Sequence, residues 1–270
     1  RGGLAARSAF KLEEAQRRFG LLAPGAAVLD LGCHPGGWAQ VCVRALAAGG
    51  RGGAVVGVDL KDTPPPPGLR DPPAGVRVRL LKGDALRAPP AALLSAAGGG
   101  RAGFDCVLSD MMSDTAGVPV ADVAASLRLA EAALLLSVGA GAGRGGLLRA
   151  GGHAMVKILQ GRGSQELLAR FEPHFERAAW FRPRATRRAS REVYAVFRGR
   201  RRGPVILYAL RRPRSELAQL LDAACGACRG TPGHRRRWLC MRSLYIAWRF
   251  ERAGPAAYPQ VQAFECVSYI

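Results

Sequence analysis

A glycine-rich turn near the start of the chain has the composition of a ligand-binding loop. Residues 28–38 read Val-Leu-Asp-Leu-Gly-Cys-His-Pro-Gly-Gly-Trp, which is an apolar strand, a turn and the start of a helix. Glycine lets the backbone approach a ligand without a clash at Cβ, and the following helix presents unpaired N–H groups. The spacing Gly-x-x-x-Gly-Gly differs from the Gly-x-Gly-x-x-Gly of dinucleotide-binding folds, which counts against NAD and FAD.

Two acidic residues extend this prediction because each follows an apolar strand pattern. Asp59 ends the second predicted strand, where it can accept hydrogen bonds from ribose hydroxyls, and Asp84 follows the third, near an adenine amino group. Either acid alone is often just a helix cap. In this order with the glycine-rich turn, they predict S-adenosylmethionine as the cofactor. The residues predicted to bind it are Asp30, Gly32, Pro35, Gly36, Gly37, Trp38, Asp59, Asp84 and Asp110.

Lysine is scarce in this strongly basic chain. Of its 40 Lys and Arg residues only four are lysines, at positions 11, 61, 82 and 157, beside an excess of alanine, glycine and proline. Such a bias is typical of compositional drift, in which arginine becomes the default cation. Arginine keeps its proton in a protein, whereas a partly buried lysine can lose it. Lys11 and Lys157 are therefore candidates for chemistry that needs a base.

The elements that must position these residues alternate between short β-branched apolar runs and amphipathic or alanine-rich stretches. This alternation predicts a Rossmann-like α/β fold with a doubly wound, mostly parallel seven-stranded sheet. The predicted strands cover residues 26–31, 54–60, 76–82, 104–109, 153–159, 178–181 and 193–197. The predicted helices cover residues 9–19, 37–47, 85–97, 120–138 and 164–175.

The alternation stops after residue 198, and a run of three arginines follows. We therefore predict one domain over residues 1–202 and an Arg-rich extension over 203–270. The extension contains four residues that could in principle bind zinc: Cys225, Cys228, His234 and Cys240. Their spacing fits no zinc module and an Ala-rich helix with incidental cysteines accounts for them, so no metal is predicted. An RNA-binding extension, a partner-binding segment and mistranslated sequence stay open for this region.

The composition excludes several classes of protein. Of 270 residues 49% are apolar, which argues against wholesale disorder and a fibrous repeat. The net charge of +20 predicts a polyanionic partner, nucleic acid first. Seven scattered cysteines indicate a reducing compartment. The longest apolar stretch, residues 120–141, is interrupted by charges at helical spacing, so no membrane span is predicted.

Five segments of the chain, in order, resemble the FtsJ-type ribosomal RNA 2′-O-methyltransferases. They are residues 7–12 (Arg-Ser-Ala-Phe-Lys-Leu), 30–38, 109–111 (Ser-Asp-Met), 156–161 with its Val-Lys and Gln-Gly, and 190–194 (Ser-Arg-Glu-Val-Tyr). The resemblance covers about residues 7–198. It implies the fold and the cofactor predicted above, and it places the family's Lys-Asp-Lys-Glu tetrad on this chain. The tetrad residues are Lys11, Asp110, Lys157 and Glu192.

The chemistry implied by this resemblance explains the residue types. A ribose 2′-hydroxyl is a poor nucleophile until its proton leaves, and methyl transfer needs in-line approach of its oxygen. Lys157 is the candidate base, because burial and the neighbouring Lys11 ammonium both favour its neutral amine. Asp110 and Glu192 oppose that effect and fix where the amines point. Taken singly, Lys11 is better explained as a solvated helix residue, Lys157 as a snorkelling strand residue and Glu192 as a member of a surface ion pair. As a set, they favour catalysis.

The chain departs from the family pattern after Ser-Asp-Met. Many members have Ala-Pro-Asn where this chain has Met112, Ser113 and Asp114, so the proline that stiffens the loop beside the substrate is missing. The Met-Met pair and the run at 188–191 resemble the mitochondrial large-subunit branch more than the nucleolar branch. We therefore predict a mitochondrion or another organelle, with a bacterial-type cytoplasm as the alternative. The chain begins at Arg1, so targeting stays open.

Arginines flank both ends of the tetrad and are predicted to bind RNA phosphates. Those near Glu192 are Arg182, Arg184, Arg187, Arg188 and Arg191, and those near Lys11 are Arg1, Arg7, Arg17 and Arg18. Phe10 and Trp180 are candidates for base stacking, although an aromatic residue beside an apolar run is more often core.

These observations predict 2′-O-methylation of RNA, with a uridine of large-subunit ribosomal RNA as the first candidate. The predicted partner is ribosomal RNA or the large ribosomal subunit, and the protein is expected to act as a monomer away from membranes. One alternative is a messenger-cap or transfer-RNA 2′-O-methyltransferase, although no cap-stacking aromatic pair is evident. Another is a non-catalytic RNA-binding or ribosome-assembly factor on the same fold. A nicotinamide dehydrogenase is disfavoured by the glycine spacing.

Overall fold

The computed structural model of the chain describes residues 4–98, 100–113, 117–139, 146–187 and 189–202. The helices are α1 (Ala9–Phe19), α2 (Gly37–Ala47), α3 (Pro90–Ala97), α4 (Pro119–Val138) and α5 (Ser164–Phe171). The strands are β1 (Ala27–Leu31), β2 (Gly53–Asp59), β3 (Val76–Lys82), β4 (Phe104–Ser109), β5 (Leu148–Leu159), β6 (Phe175–Phe181) and β7 (Glu192–Arg200). Single 3₁₀ turns follow α2 and α5, at Ala48–Gly50 and Glu172–His174.

All seven strands form one sheet in the order β3-β2-β1-β4-β5-β7-β6. Strands β1 to β5 pair in parallel, and β7 runs antiparallel to both of its neighbours. The chain winds outward from β1 to β3 and then returns to place β4 on the other side of β1. This reversal is the topological switch point at which open α/β sheets bind ligands. The predicted fold class is therefore confirmed.

Both faces of the sheet are covered, which explains why every residue of β1 is buried. Helices α1 and α2 cover one face and bury residues such as Leu12 and Leu46. Helices α3, α4 and α5 cover the other, where Leu93, Leu134 and Leu167 are buried. Within the described residues, no helix combines the length and the apolar character that a membrane crossing requires.

The structure differs from the predicted elements at their boundaries: β5 begins at Leu148, five residues earlier than predicted, and the helix differences lie at prolines. The helix predicted from residue 85 begins only at Pro90, because a proline disfavours helical geometry in the residue before it. The helix predicted to reach residue 175 ends at Phe171, and Pro173 lies in the 3₁₀ turn that follows. Strand β6 consequently starts at Phe175, three residues earlier than predicted. Residues 203–270, including the cysteine and histidine group considered for zinc, lie outside the described residues.

Candidate active site

The glycine-rich turn joins β1 to α2 and requires glycine at two crowded positions. Gly32 has a φ of +79°, and a Cβ there would lie 2.8 Å from the backbone nitrogen of Met111. Gly36 has a φ of +97°, and its Cβ would lie 2.9 Å from the Pro66 ring. Both positions combine a left-handed backbone with a close neighbour, so any side chain would distort the turn.

A pocket of about 400 Å³ opens at the carboxyl edge of the sheet, beside this turn. Its volume lies within the range typical of small-molecule sites. Four of the residues predicted to bind the cofactor line it: Gly32, Asp59, Asp84 and Asp110. The structure adds apolar walls that the sequence did not single out, notably Leu60, Leu86, Met111 and Leu129.

Backbone N–H groups hold the two pocket acids in place. Asp59 accepts the N–H of His34 at 3.0 Å and that of Lys61 at 2.8 Å, one on each oxygen. Asp84 accepts the N–H of Leu86 at 2.9 Å. A carboxylate has about four acceptor sites, so each acid can still receive a ligand hydroxyl or amine. Capping and ligand binding are therefore compatible roles here.

Asp30 lies beneath the turn as a buried carboxyl group without a partner. Its side chain has 0% exposure, and neither oxygen makes a hydrogen bond to any of the described residues. Burial, together with the negative charges of Asp110 and Asp59, raises the pKa of Asp30 to about 8. Orphaned buried polar atoms are rare in native proteins and point to an additional group that satisfies them.

The other predicted cofactor residues shape the turn without lining the pocket. Pro35 is exposed, and Gly37 packs against Ala6, whose Cβ would be 3.1 Å from an added Cβ. Trp38 is buried, and its indole N–H donates to the carbonyl of Ser8 at 2.8 Å. These residues connect the turn to the segment that precedes α1.

The four tetrad residues come together as two ion pairs next to the pocket. Lys11, from α1, pairs with Glu192 at the start of β7. Lys157, from β5, pairs with Asp110 after β4 at an Nζ–Oδ1 distance of 3.0 Å. The four side chains are only 7% to 18% exposed. Positions 11, 110, 157 and 192 thus meet in one recess, although they span most of the described chain.

Tyr194 is a residue of this recess that the sequence did not single out. Its hydroxyl lies 3.1 Å from Asp110 Oδ1 and 2.9 Å from Glu192 Oε1, so it joins the two ion pairs. Burial raises the pKa of Tyr194 well above its ordinary value, and both carboxylates act in the same direction. One signal was present: Glu192 and Tyr194 are two residues apart, so they share one face of a strand. The pairing of Tyr194 with Lys157 across β7 and β5 needed the register of the sheet.

Asp110 belongs to both the pocket and the recess. It lines the pocket and its N–H donates to the carbonyl of Leu31 at 3.0 Å, which ties it to the end of β1. Burial raises the pKa of Asp110, whereas the ion pair with Lys157 opposes that shift. A group that contacts both sites can align a ligand in the pocket with a substrate in the recess.

The arginines predicted to bind RNA divide into two groups. Arg182 uses its guanidinium to hold the loop between β6 and β7, donating to the carbonyl of Ser190 at 2.6 Å and that of Arg187 at 3.3 Å. Arg7, Arg17, Arg18, Arg184, Arg187 and Arg191 are exposed, while Arg1 and Arg188 lie outside the described residues. Of the aromatic candidates, Phe10 is 44% exposed, whereas Trp180 packs against the core and bonds to Gln165.

A family model described as FtsJ-like methyltransferase matches residues 4–200. The chain belongs to the FtsJ-like methyltransferase family. The matched region contains all seven strands, the glycine-rich turn and the four residues of the recess. The prediction of a methyltransferase is therefore confirmed at the level of the family.

Named relatives of this FtsJ-like methyltransferase agree with that assignment. The ribosomal RNA large subunit methyltransferase E of Desulfatibacillum aliphaticivorans is 37% identical over 196 residues, covering 73% of this chain and 84% of the relative. The protein of the same name in Syntrophobacter fumaroxidans is 40% identical over 192 residues, covering 71% and 87%. A crystal structure described as a ribosomal RNA methyltransferase of Plasmodium falciparum shares the fold, with a TM-score of 0.56 and 22% identity over 72% of this chain and 97% of that one.

Proposed function

We propose that this FtsJ-like methyltransferase uses S-adenosylmethionine to methylate a ribose 2′-hydroxyl of RNA. The observation that carries the proposal is the recess of two linked ion pairs, which shares Asp110 with a pocket of about 400 Å³. Family membership supports the transfer of a methyl group, and methyltransferases generally take it from this cofactor.

The residues around the pocket fit the groups of that cofactor. Asp59 and Asp84 offer acceptor oxygens for ribose hydroxyls and an adenine amino group, and Leu60 and Leu86 offer apolar walls for the adenine ring. Asp30 is a buried carboxyl without a partner, which suits the cationic amino group of the methionine part. The glycines at the turn allow close backbone approach.

The proposed mechanism gives each residue of the recess one task. S-adenosylmethionine supplies, when bound, a methyl group on a positively charged sulfur. Lys157 is assigned the role of accepting the proton of the ribose 2′-hydroxyl, and Asp110 positions its Nζ at an Nζ–Oδ1 distance of 3.0 Å. The Lys11–Glu192 ion pair forms the opposite wall and restricts the orientation of the hydroxyl. The low exposure of all four side chains excludes most water from the proton transfer.

The proposed substrate is large-subunit ribosomal RNA, as free RNA or in the ribosomal particle. The names of the bacterial relatives support this choice, and the net charge of +20 suits a polyanion. A uridine target, action as a monomer and a mitochondrial location remain sequence predictions. We also propose that residues 1–202 form the methyltransferase domain and that 203–270 are a separate extension.

The test is transfer of labelled methyl groups from S-adenosylmethionine to total RNA and to large ribosomal subunits. A 2′-O-methyl group makes the adjacent linkage resistant to alkali, so the product can be mapped by its resistance to alkaline cleavage. We expect Lys157→Ala and Asp110→Ala to lower the transfer rate by at least a hundredfold, as is usual for a general base. Lys82→Ala, which removes an exposed lysine at the end of β3, is the matched control and should retain the wild-type rate.

Two results would count against the proposal. Wild-type transfer rates in both variants of the recess would refute the assigned mechanism. Measurable binding of S-adenosylmethionine without transfer to any RNA would instead favour a non-catalytic RNA-binding or assembly factor on the same fold.

A further inference from the structure

A basic depression lies on the protein surface between the second half of α1 and the loop that joins β6 to β7. It has a volume of about 470 Å³ and is lined by Glu14, Arg17, Arg18 and Arg184. Three guanidinium groups face one carboxylate, so the lining carries excess positive charge. The mechanism proposed above uses none of these four residues.

The three arginines of this basic depression form no ion pair among the described residues. The one lining acid, Glu14, accepts the backbone N–H of Arg184 at 2.8 Å, which fixes the loop to the helix. The Arg18 guanidinium lies over two aromatic rings, 5.2 Å from the centre of Phe19 and 5.7 Å from that of Phe181. Among the described residues, neither Arg17 nor Arg184 forms an ion pair through its guanidinium. The bond from the loop backbone to Glu14 and the position of Arg18 over two rings distinguish this depression from a run of solvated charges.

The two elements that build the basic depression also border the tetrad recess. Lys11, Glu14 and Arg18 have i, i+3 and i+7 spacing, so they lie along one face of α1. At 1.5 Å per residue, Arg18 is about 10 Å along the helix axis from Lys11. The loop that carries Arg184 leads directly into Glu192, the ion-pair partner of Lys11. A strand of RNA whose ribose enters the recess can therefore continue along this face.

We propose that the basic depression binds a backbone phosphate of the substrate RNA, about three nucleotides from the ribose that is methylated, at roughly 3.4 Å per stacked nucleotide. Guanidinium groups match phosphate oxygens with paired hydrogen bonds, which explains three arginines at one site. A phosphate contact positions the strand without reading its sequence. The inference rests on the proposed function, because it takes the substrate to be RNA.

The test compares two double variants that remove the same charge. Arg17→Gln/Arg184→Gln removes two cations of the depression and leaves Arg18 on its rings. Arg77→Gln/Arg79→Gln removes two exposed arginines from β3, at the opposite edge of the sheet, and is the matched control. The probe is a fluorescein-labelled transcript of large-subunit ribosomal RNA. Its dissociation constant is measured by anisotropy over a series of salt concentrations, without cofactor.

We expect the depression variant to bind the transcript about tenfold more weakly at 0.1 M salt. The slope of log K against log salt should fall in magnitude by about 0.7, the value for one lost phosphate contact on a single strand. In methyl transfer, KM for RNA should rise while kcat and KM for S-adenosylmethionine stay within twofold of wild type. The control variant should change the affinity by less than twofold.

Equal losses in the two variants would overturn the inference, because they would reflect total charge alone. Unchanged binding in the depression variant would overturn it as well. Binding is measured without cofactor, so a wild-type protein that binds RNA but transfers no methyl group would refute the proposed function separately.

Discussion

At the scale of single residues, the recess shows how four charges can be kept away from water. Each ammonium group faces a carboxylate, and the Tyr194 hydroxyl supplies one proton between Asp110 and Glu192. Buried charges are tolerated when they are paired and hydrogen-bonded. Removing one member leaves its partner buried with nothing to offset the loss of hydration. Loss of the Tyr194 hydroxyl should therefore disturb both ion pairs of the recess together.

Tyr194→Phe is expected to lower kcat about tenfold and to leave KM for S-adenosylmethionine unchanged. The ring of the variant still packs against Trp38, with 5.8 Å between the ring centres, but the hydroxyl that links the carboxylates of Asp110 and Glu192 is lost. Unfolding in urea should show a loss of about 1 kcal/mol, the usual value for one hydrogen bond. Single-turnover methyl transfer measures the first effect, and wild-type turnover by the variant would contradict the role given to the hydroxyl.

Asp30 predicts a pH dependence of stability in the protein without cofactor. Its pKa is raised from 3.8 to about 8 on folding, so the folded state holds a proton that the unfolded state has lost. The stabilisation is complete below pH 4 and is lost as the pH rises toward 8, at up to about 1.4 kcal/mol per pH unit. Asp30→Asn should flatten this decline, as measured by urea unfolding from pH 5 to pH 8. Parallel curves for the two proteins would contradict the prediction.

At the scale of elements, the turn between β1 and α2 is built by contacts from distant segments. Met111, after β4, packs against Gly32, and Pro66, from the loop after β2, packs against Gly36. The β6–β7 loop depends in the same way on Arg182, whose guanidinium binds carbonyl groups across the loop. Both functional loops therefore take their shape from packing as well as from local sequence.

Gly32→Ala separates steric crowding from backbone preference when it is compared with Gly68→Ala. Both glycines have a left-handed φ, +79° and +83°, but only Gly32 has neighbours within 4 Å of the added Cβ. We expect Gly68→Ala to lower the free energy of unfolding by about 1 kcal/mol, because only the left-handed backbone conformation disfavours a side chain there. Gly32→Ala should lower the free energy of unfolding by more than this, as measured by thermal unfolding. It should also weaken binding of S-adenosylmethionine at least tenfold, as measured by calorimetry. Equal effects of the two substitutions would show that crowding at Gly32 is unimportant.

At the scale of the whole molecule, the described residues up to Arg200 form a seven-stranded sheet with a buried core on each face. The last strand, β7, is central and pairs with β5 and β6, so the seven-stranded order needs no later residue. Within the part of the chain that the structure describes, the same residues supply a buried cluster on each face of the sheet. A chain that ends at Arg202 consequently has what a single cooperative domain requires.

We expect the protein truncated after Arg202 to unfold in one transition and to retain methyl transfer to RNA within a few-fold of the full chain. Calorimetry and the methyl-transfer assay provide the two measurements. A truncated chain that fails to fold would show that the last 68 residues complete the domain. Normal folding with loss of RNA transfer would assign those residues to substrate binding.

Local sequence determined the fold class and most elements of this protein. Apolar alternation is a short-range property, so it identified all seven strands and placed the glycine-rich turn at the end of the first. Its errors lay at element boundaries: prolines overrode periodicity at Pro90 and Pro173, and β5 begins at Leu148, five residues before the predicted start. The pocket acids Asp59 and Asp84 were also identified, because the ends of parallel strands share one edge of the sheet.

Only the tertiary structure decided which charges pair and what joins them. Lys11 pairs with Glu192 and Lys157 with Asp110, across 181 and 47 positions of sequence. The order of the strands and the register of β5 against β7 bring these groups together, and neither is a property of a short segment. The same long-range contacts bury Asp30 without a hydrogen-bond partner among the described residues and place Tyr194 between two carboxylates. Spacing along the chain can identify such residues as candidates, but tertiary packing sets the distances between them and therefore their chemistry.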